Sequence, residues 1–410
     1  MSLSHHVARM TGRDPAESHR ASTPLELLFD LTFVVAFSQI SSQTAHALEL
    51  GHISAALIGF AFTTFAVSWA WINYSWLASA YDNDDIFFRI ATLVIMIGVL
   101  VVALGVPPVF GSLEEGEHLD NGVLVAGYVI MRIATVAIWL RAAKHDPARR
   151  RTSLAYAANV AIAQVGWVAL VFLNLPIATT SAFVLVLIAF ELAGPPFAEL
   201  KYGRTPWHPH HIAERYGLLV IITLGEVILG TILAISAVVE EYSWTLEAGL
   251  IAFGGTALAF GMWWVYFVVP AGPVLARHPL RGFPWGYGHF FVFGSVIAVG
   301  SGLHVAAQVI AGHSEADEMF AVLSVAIPVL AFELSLFILY GVLVMQFDPL
   351  HLWLLLGSAA VLLLAVLAVG LGVSLGWALL IIAFAPAVIV VGYETVGHRH
   401  EAVALERATG

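Results

Sequence analysis

The sequence predicts an all-α polytopic membrane protein with about twelve transmembrane helices in two parallel six-helix repeats. Hydrophobic residues make up 60% of the 410 residues and charged residues only 11%, less than half the share that is usual in soluble domains. The apolar residues form long stretches, and about 20 such residues are needed to cross the hydrocarbon core of a bilayer. Outside these stretches, every basic residue falls on one side of a twelve-span arrangement. Together these observations indicate that lipid surrounds the chain.

Short loops separate the twelve apolar stretches. Thr23 and Pro24 supply a helix cap and a first-turn proline for the first span. The predicted spans are 24–48, 53–78, 86–106, 122–141, 152–173, 177–194, 212–238, 245–269, 287–311, 319–344, 350–371 and 375–393.

The distribution of Lys and Arg predicts the orientation of these spans. Loops 49–52, 107–121, 174–176, 239–244, 312–318 and 372–374 contain no basic residue, and several are acidic. The basic residues lie in the tails and in the alternate loops, at Arg9, Arg13, Arg20, Arg141, Lys144, Arg149, Arg150, Arg151, Lys201, Arg204, Arg277, Arg281, Arg399 and Arg407. Because basic loops stay in the cytoplasm, we expect both termini to be cytoplasmic. No small-residue cleavage motif follows the first tail, so we expect the first helix to be retained.

The composition also limits the partners. The chain has no cysteine, which excludes disulfides, thiolate chemistry and Cys-ligated metals. Its net charge of −11 argues against nucleic-acid binding. The histidines of segment 207–211 lack the i, i+4 spacing of two metal ligands on one helix. We therefore expect no cofactor and no metal ion, and as partners membrane lipid with a small molecule or an ion as substrate. The oligomeric state stays open.

The two halves of the chain resemble each other. Span 2 ends in an aromatic cluster that includes Trp69, and span 8 ends in a similar cluster that includes Trp263. Spans 6 and 12 both end with a glutamate, Glu191 and Glu394. The predicted organisation is a cytoplasmic tail (1–22), a first half (23–195), a cytoplasmic linker (196–211), a second half (212–394) and a second cytoplasmic tail (395–410). Six spans per half give both halves the same orientation, an arrangement found among transporters. The alternative is that apolar helices look alike by composition.

Ionisable residues inside the spans are the candidates for function, because each costs several kcal/mol in the bilayer. Glu26 and Asp30 share one face of span 1. A simpler interpretation of Glu26 is that it is an acidic first-turn residue favoured by the helix dipole. Glu226 lies near mid-membrane in span 7 after Gly225, where we expect a neighbouring helix to approach closely. The alternative interpretation is that Glu226 is a neutral glutamate that packs in the core of the helix bundle.

Arg132 in span 4 and Glu333 in span 10 complete the set of residues predicted to handle substrate or protons. Arg132 needs a carboxylate or water, and Asp30, Glu226 and Glu333 are its candidate partners. A purely structural ion pair is the alternative.

His289 and His304 in span 9 could titrate or simply pack. The aromatic clusters at the ends of spans 2 and 8 are expected to be interface anchors, or else walls of a pocket.

Two ordered motifs resemble the low temperature requirement protein A family of bacterial membrane proteins. The first runs from Glu26 through Asp30 to Gln39, with Leu28 where the family usually has Phe, and the second runs from His211 to Glu226. The motif residues are Glu26, Asp30, Gln39, Trp71, Tyr74, Arg89, His211, Glu214, Arg215, Gly225, Glu226, Trp264, Tyr266, Tyr287 and His289. The resemblance implies a multi-pass protein of the bacterial inner membrane, but it implies no activity.

Three functions remain open. A secondary transporter is the first, because acidic residues in the first span of each half suit ion-coupled alternating access. In that hypothesis the four candidate residues meet in one cavity, and Arg132 or Arg215 holds an anionic substrate. No P-loop motif is present, so we do not expect coupling to ATP within this chain. An intramembrane enzyme that acts on lipid or isoprenoid is the alternative, although we identify no catalytic residue and expect no enzyme. A sensor or channel subunit is the third.

Overall fold

The computed structural model describes residues 7–15, 17, 20–346 and 348–409. Within these residues the chain forms fifteen α-helices and no β-strand. In the same part of the chain, twelve helical segments are long and apolar enough to cross a membrane. The helices are α1 (Pro24–Glu49), α2 (Ile53–Tyr81), α3 (Ile86–Leu104), α4 (Val106–Glu115), α5 (Gly122–His145), α6 (Arg150–Leu173), α7 (Ile177–Tyr202), α8 (Pro209–Tyr242), α9 (Leu246–Phe267), α10 (Ala271–Arg277), α11 (Gly282–Ile310), α12 (Glu318–Val344), α13 (Pro349–Gly370), α14 (Leu375–Gly392) and α15 (His398–Thr409).

Every predicted span corresponds to one of the long helices, which confirms the all-α membrane fold. The short helices α4, α10 and α15 were not predicted. Helix α7 also continues through Pro195 and Pro196, where the sequence predicted its end, and stops at Tyr202. Proline inside a helix removes a backbone donor and favours a kink or an end, but membrane helices tolerate proline where neighbouring groups bind the freed carbonyl oxygens. The chain between α7 and α8 is irregular only over 203–208.

The chain divides into two compact units. Unit 1 contains Met1–Gln39 and Phe65–Arg215, and unit 2 contains Ile40–Thr64 and Tyr216–Gly410. In unit 1, α5 packs against α3 and α6, and α6 packs against α7. In unit 2, α12 packs against α11 and α13, and α14 packs against α9 and α13. Helices α1, α2 and α8 contribute residues to both units. The six-plus-six repeat stays a prediction.

Glycines allow the closest helix contacts, as is common between membrane helices. In unit 1, a Cβ atom on Gly98 of α3 would lie 2.8 Å from the carbonyl oxygen of Gly127 on α5. A Cβ on Gly127 would in turn lie 2.6 Å from the backbone nitrogen of Val102. Because the obstructing atoms belong to the backbone, a larger residue at either glycine would push the helices apart.

Candidate functional site

The first turn of α1 fixes the position of Glu26. The Thr23 hydroxyl accepts a hydrogen bond from the backbone N–H of Glu26 (3.2 Å), and the Glu26 carboxylate accepts one from the N–H of Thr23 (2.8 Å). This reciprocal pair is a capping box, and Pro24 begins the helix. The predicted cap is therefore confirmed. Asp30 lies one turn further along the same face of α1.

Helix α8 presents a matching pair of residues one turn apart, His211 and Arg215. Its start is set by His208, whose ring nitrogen Nδ1 accepts a hydrogen bond from the backbone N–H of His211 (3.2 Å). The backbone N–H of His208 donates to the hydroxyl of Ser79 at the end of α2 (3.0 Å). Helix α8 therefore begins at a point fixed to α2, and this places both side chains toward α1.

The two pairs meet in what we call the charge cluster: Glu26, Asp30, His211 and Arg215. His211 Nε2 lies 3.2 Å from Glu26 Oε2. Arg215 donates from Nη1 and Nη2 to the two oxygens of Asp30, each at 2.7 Å. All four residues have 0% exposed surface. Such a bidentate, charge-assisted contact is among the strongest that two side chains form.

Helix α2 completes the contacts of the cluster. The indole N–H of Trp71 donates to Asp30 Oδ1 (2.8 Å), and the hydroxyl of Ser75 accepts from Arg215 Nη2 (3.3 Å). The Arg215 guanidinium also lies 5.4 Å from the centre of the Trp71 ring. The side chains of Trp71 and Ser75 are again one turn apart, so three helices each contribute two residues in register.

The charge cluster has one property that ordinary structural pairs lack. Two carboxylates face one guanidinium and one imidazole. The net charge of these four side chains is therefore zero only when one extra proton is bound by His211 or by a carboxylate. Three of their polar atoms make no hydrogen bond to any described residue: Glu26 Oε1, His211 Nδ1 and Arg215 Nε. An incompletely satisfied buried network is costly, and the cluster can therefore lower its energy by exchanging a proton or contacting a further polar group.

The N-terminal segment packs beside the charge cluster. Arg20 is buried and donates to the backbone carbonyl oxygens of Ala78 and Ser79 at the end of α2. Burial, followed by the charge of nearby Arg13, lowers the pKa of Arg20 to about 10, although the carboxylate of Glu26 acts in the opposite direction. The N-terminal segment thus adds a positive charge near the acidic side of the cluster.

Asp82, which follows α2, is a buried acid that the sequence analysis missed. Its Oδ1 accepts from the backbone N–H of Asp84 (2.7 Å), while its Oδ2 has no hydrogen-bond partner among the described residues. Burial, together with the negative charge of Glu26, raises the pKa of Asp82 to about 6. No signal in the sequence pointed to Asp82, because only the structure brings it near Glu26.

Arg132 pairs with Glu191, which was not among its three predicted partners. Arg132 Nη2 lies 2.6 Å from Glu191 Oε2, and the indole N–H groups of Trp69 and Trp167 donate to the same carboxylate. The guanidinium also lies 5.2 Å from the centre of the Tyr128 ring. Glu191 is thus fully partnered, and the contact has the features of a structural ion pair. The sequence signal for this ion pair was Glu191 itself, a glutamate inside a predicted span.

In unit 2, α8 approaches α11 closely at Glu226, but this close contact does not involve Gly225. A Cβ on Gly225 would have no atom within 4 Å. The approach occurs at Gly300, where a Cβ would lie 2.8 Å from the Cβ of Glu226 and 2.9 Å from its carbonyl oxygen. The prediction for Gly225 was therefore wrong, because sequence adjacency to Glu226 does not tell which helix face meets the neighbour. Glu226 itself is buried.

Glu333 on α12 is buried against α13. The hydroxyl of Ser358 donates to its Oε2, and its Oε1 has no hydrogen-bond partner among the described residues. In unit 1, Asp30 and Arg132 have separate partners, Arg215 and Glu191. The predicted convergence of Asp30, Arg132, Glu226 and Glu333 on one cavity stays a prediction.

The remaining motif residues are mostly structural. Both ring nitrogens of His289 are bonded, Nδ1 to the carbonyl oxygen of Trp285 (2.8 Å) and Nε2 to the hydroxyl of Tyr266 (3.0 Å). Trp69, Trp71 and Tyr74 are buried and hydrogen-bonded. The prediction that Trp69, Trp71 and Tyr74 anchor the protein at the membrane interface was therefore wrong, because these side chains are buried inside unit 1.

The other motif positions lie at exposed or partly exposed sites. Arg89 forms a 2.7 Å ion pair with Asp84, and exposed Glu214 accepts from the backbone N–H of Ser22 (3.2 Å). Trp264 is 37% exposed and donates to Glu394 (3.3 Å). Gln39 and Tyr287 are partly buried. Among the described residues, no three His, Asp or Glu side chains form a group suited to a metal ion.

The fold and the buried ion pairs define the chain as an all-α polytopic membrane protein. The family model described as bacterial low temperature requirement A protein (LtrA) matches residues 21–386. The chain belongs to this family. A relative named uncharacterized protein RA0937, of Rhizobium meliloti (strain 1021), is 29% identical over 269 residues, which cover 62% of this chain and 60% of the relative. The chain thus matches less than two thirds of that relative's length. No solved structure matches the chain.

Proposed function

We propose that this protein is a proton-coupled secondary transporter of the bacterial inner membrane, with the charge cluster as its coupling site and both termini in the cytoplasm. Its partners would be membrane lipid and a small molecule or ion that it carries. The proposal rests on the bidentate pair between Asp30 and Arg215, beside the contact between Glu26 and His211. Buried ionisable groups inside membrane helices are costly, and they commonly mark ion or substrate pathways.

The chemistry of the cluster suits proton coupling. When Asp30 takes up a proton, it loses its negative charge and with it most of its attraction for Arg215. Arg215 cannot release its own proton, so it needs another anion or water, and an anionic group of a substrate can take that place. His211 belongs to the residue type whose charge changes most readily near neutral pH. Proton binding thereby changes the attraction between α1 and α8, which alternating access requires.

Arg132 is the poorer candidate for holding a substrate. Its guanidinium is already paired with Glu191, which two tryptophans also bind. Removing one member of such a buried pair costs about 3–5 kcal/mol. We therefore assign substrate contact to Arg215 and a structural role to Arg132.

Uptake into proteoliposomes tests the proposal. The purified protein is reconstituted, an inward proton gradient is imposed, and a panel of amino acids, organic acids, sugars and inorganic ions is offered. We expect at least one solute to accumulate, and a protonophore to abolish the accumulation. Glu315→Gln, at an exposed loop position, serves as a control that should transport like the wild type. If no solute moves with the gradient, the proposal fails.

Two further measurements test the rest of the proposal. Lipid profiling of a deletion strain separates a transporter from an enzyme, because an enzyme that acts on lipid shifts one lipid species and its precursor. We expect no such shift. A reporter that is active only in the periplasm, fused after residue 410, should be inactive, whereas the same reporter inserted in loop 312–318 should be active. The opposite pattern would reverse the proposed orientation.

A further inference from the structure

One group of basic side chains in unit 1 has no acidic partner within the chain. The arginines that form ion pairs with an aspartate or a glutamate include Arg132, Arg141, Arg149 and Arg215. In the part of unit 1 that the structure describes, the Lys and Arg side chains with neither an ion pair nor a hydrogen bond are Lys144, Arg150, Arg151, Lys201 and Arg204. All five lie in the connections α5–α6 and α7–α8 or at the adjoining helix ends. Their charges are therefore available to a partner outside the chain.

No exposed carboxylate compensates these charges. From α5 to the start of α8 the acidic residues are Asp146, Glu191 and Glu199, and all three are buried. Asp146 and Glu191 are paired with arginines. Glu199 accepts hydrogen bonds from the hydroxyl of Tyr156 and from the backbone N–H of Thr205, both at 3.2 Å. The surface of this region is therefore positively charged.

The start of α6 and the end of α7 lie side by side. The hydroxyl of Thr152 on α6 donates a hydrogen bond to the carbonyl oxygen of Gly203, directly after α7 (2.8 Å). The cations next to this contact form what we call the basic patch: Arg150, Arg151, Lys201 and Arg204. All four residues are exposed. Two of them begin α6 and two lie at or just beyond the end of α7, so the patch joins two helices that pack against each other.

The apolar side chains beside the basic patch place it at the level of lipid headgroups. The Lys201 ammonium lies 5.1 Å from the centre of the Phe197 ring and 5.4 Å from that of Tyr202. Phe197 is 55% exposed and Leu200 is 72% exposed. Aromatic rings and long basic side chains are typical of the membrane interface, where the apolar part faces acyl chains and the charge reaches the headgroups. Among the described spans, α7 has the smallest buried share. The basic patch thus continues into an apolar helix face that is open to lipid.

This combination favours an anionic phospholipid over a soluble acidic partner. A phosphate group accepts charge-assisted hydrogen bonds from several Arg and Lys side chains at once. Basic pockets between membrane helices are known sites for anionic headgroups. A soluble acidic protein or a nucleic acid would use the positive charges but not the exposed face of α7. A phospholipid uses both, because its acyl chains extend along the apolar face below its headgroup.

We propose that the basic patch binds the headgroup of an anionic phospholipid, whose acyl chains lie along the exposed face of α7. In the proposed orientation this lipid belongs to the cytoplasmic leaflet. The site is separate from the charge cluster. The inference concerns lipid binding alone and does not rest on the proposed transport.

Native mass spectrometry of the purified full-length protein in detergent tests this site. Phosphatidylglycerol, which is anionic, is compared with phosphatidylcholine, which is zwitterionic and has the same acyl chains. We expect the first phosphatidylglycerol to bind at least about tenfold more tightly than phosphatidylcholine. The double variant Arg151→Gln and Lys201→Gln should lose most of this preference, because it removes one charge from each helix of the basic patch.

A matched control removes two exposed positive charges of unit 2, Arg277→Gln and Arg399→Gln. Both double variants then have the same net charge, and the control should keep the preference of the wild type. No preference in the wild type, or an equal loss in both double variants, would overturn the proposal. An unchanged preference in the patch variant would also refute it, and would leave the basic patch to a soluble acidic partner.

Fluorescence quenching in bilayers locates the lipid without any change to the basic patch. The chain has no cysteine, so Leu200→Cys places a single fluorescent label on the exposed face of α7. Leu352→Cys is the control, because Leu352 is 46% exposed and the connection before α13 contains Asp348 but no Lys or Arg. Phosphatidylglycerol with a nitroxide on its acyl chain should quench the label at Leu200→Cys at least about twofold more than the label at Leu352→Cys. Nitroxide-labelled phosphatidylcholine should quench both labels alike. Equal quenching of both labels by phosphatidylglycerol would contradict the proposal.

Discussion

Asp30 of α1 and Arg215 of α8 form a bidentate ion pair in which each carboxylate oxygen accepts a hydrogen bond of 2.7 Å and neither residue has exposed surface. The pair joins the two motifs that carry the family resemblance, one from each predicted half of the chain. Each residue is 185 positions from its partner in the sequence. The pair therefore explains physically why the two motifs belong together.

The first prediction concerns the stability of this pair. Asp30→Asn leaves the buried Arg215 charge without the carboxylate that it pairs with, which costs about 3–5 kcal/mol. Arg215→Met should cost a similar amount, and Asp30→Leu combined with Arg215→Met should cost less than the sum of the single changes. Unfolding in detergent, followed by circular dichroism, measures these losses. Arg89→Gln breaks the exposed pair with Asp84 and should cause little loss. Additive single and double effects would show that the two side chains do not interact.

The second prediction separates the structural pair from the coupling pair. Glu191→Gln keeps the shape of the side chain but replaces the carboxylate by a neutral amide, which removes the counter-charge of Arg132, so it should lower the unfolding free energy by about 3–5 kcal/mol. Because we assign no proton exchange to Glu191, the variant that remains folded should keep its ratio of protons to solute in proteoliposomes. A stable Glu191→Gln protein with an altered ratio would move the coupling role to this pair.

The third prediction is a pH dependence caused by Asp82. Its pKa in the folded protein is about 6, above the value near 3.9 of an unfolded aspartate. Between these values the folded state binds more protons, so its stability falls as pH rises from about 4 to about 6. Asp82→Asn should remove this contribution and raise the unfolding free energy at pH 7 by as much as about 3 kcal/mol. Melting temperatures of both proteins from pH 4 to pH 8 provide the measurement. Parallel curves would contradict the assignment.

The fourth prediction compares two glycines of unit 2. Gly300→Ala places a methyl group against the backbone of Glu226, and it should destabilise the protein by about 1–3 kcal/mol. Gly225→Ala meets no atom within 4 Å, so it should be neutral or stabilise α8 by up to about 1 kcal/mol. Thermal unfolding of both variants decides between them. If Gly225→Ala proved the more harmful change, the close approach of α8 and α11 at Gly300 would be wrong.

The spans could be predicted from the sequence because the bilayer imposes a simple requirement, about 20 apolar residues for each crossing. Helix ends were harder, as α7 shows: Pro195 and Pro196 indicated an end, yet the helix runs on to Tyr202. The short helices α4 and α10 are equally difficult, because too few residues carry the pattern. Packing against other helices stabilises these helix ends, and the helix propensity of a short segment does not predict that packing.

The candidate residues could be predicted, but their partners could not. Ionisable side chains stand out in an apolar span, which identified Asp30, Arg132, Glu226 and Glu333. Which helix faces which is a tertiary property, so the sequence could not show that Arg132 meets Glu191. The same rule could have identified Glu191, since it lies inside a predicted span. The contact of Ser75 with the charge cluster had no signal in the sequence, and the family motif that includes Trp71 did not show that its indole meets Asp30.

The central claim is that Asp30 takes up and releases the proton that drives transport. The most direct measurement is solute-dependent proton flux into proteoliposomes that contain a pH-sensitive dye, with wild type and Asp30→Asn reconstituted at equal density. We predict that the wild type acidifies the lumen when solute is added, and that Asp30→Asn, although it still binds the solute, moves no protons. Proton flux of equal size in Asp30→Asn would contradict the claim and show that Asp30 does not carry the proton.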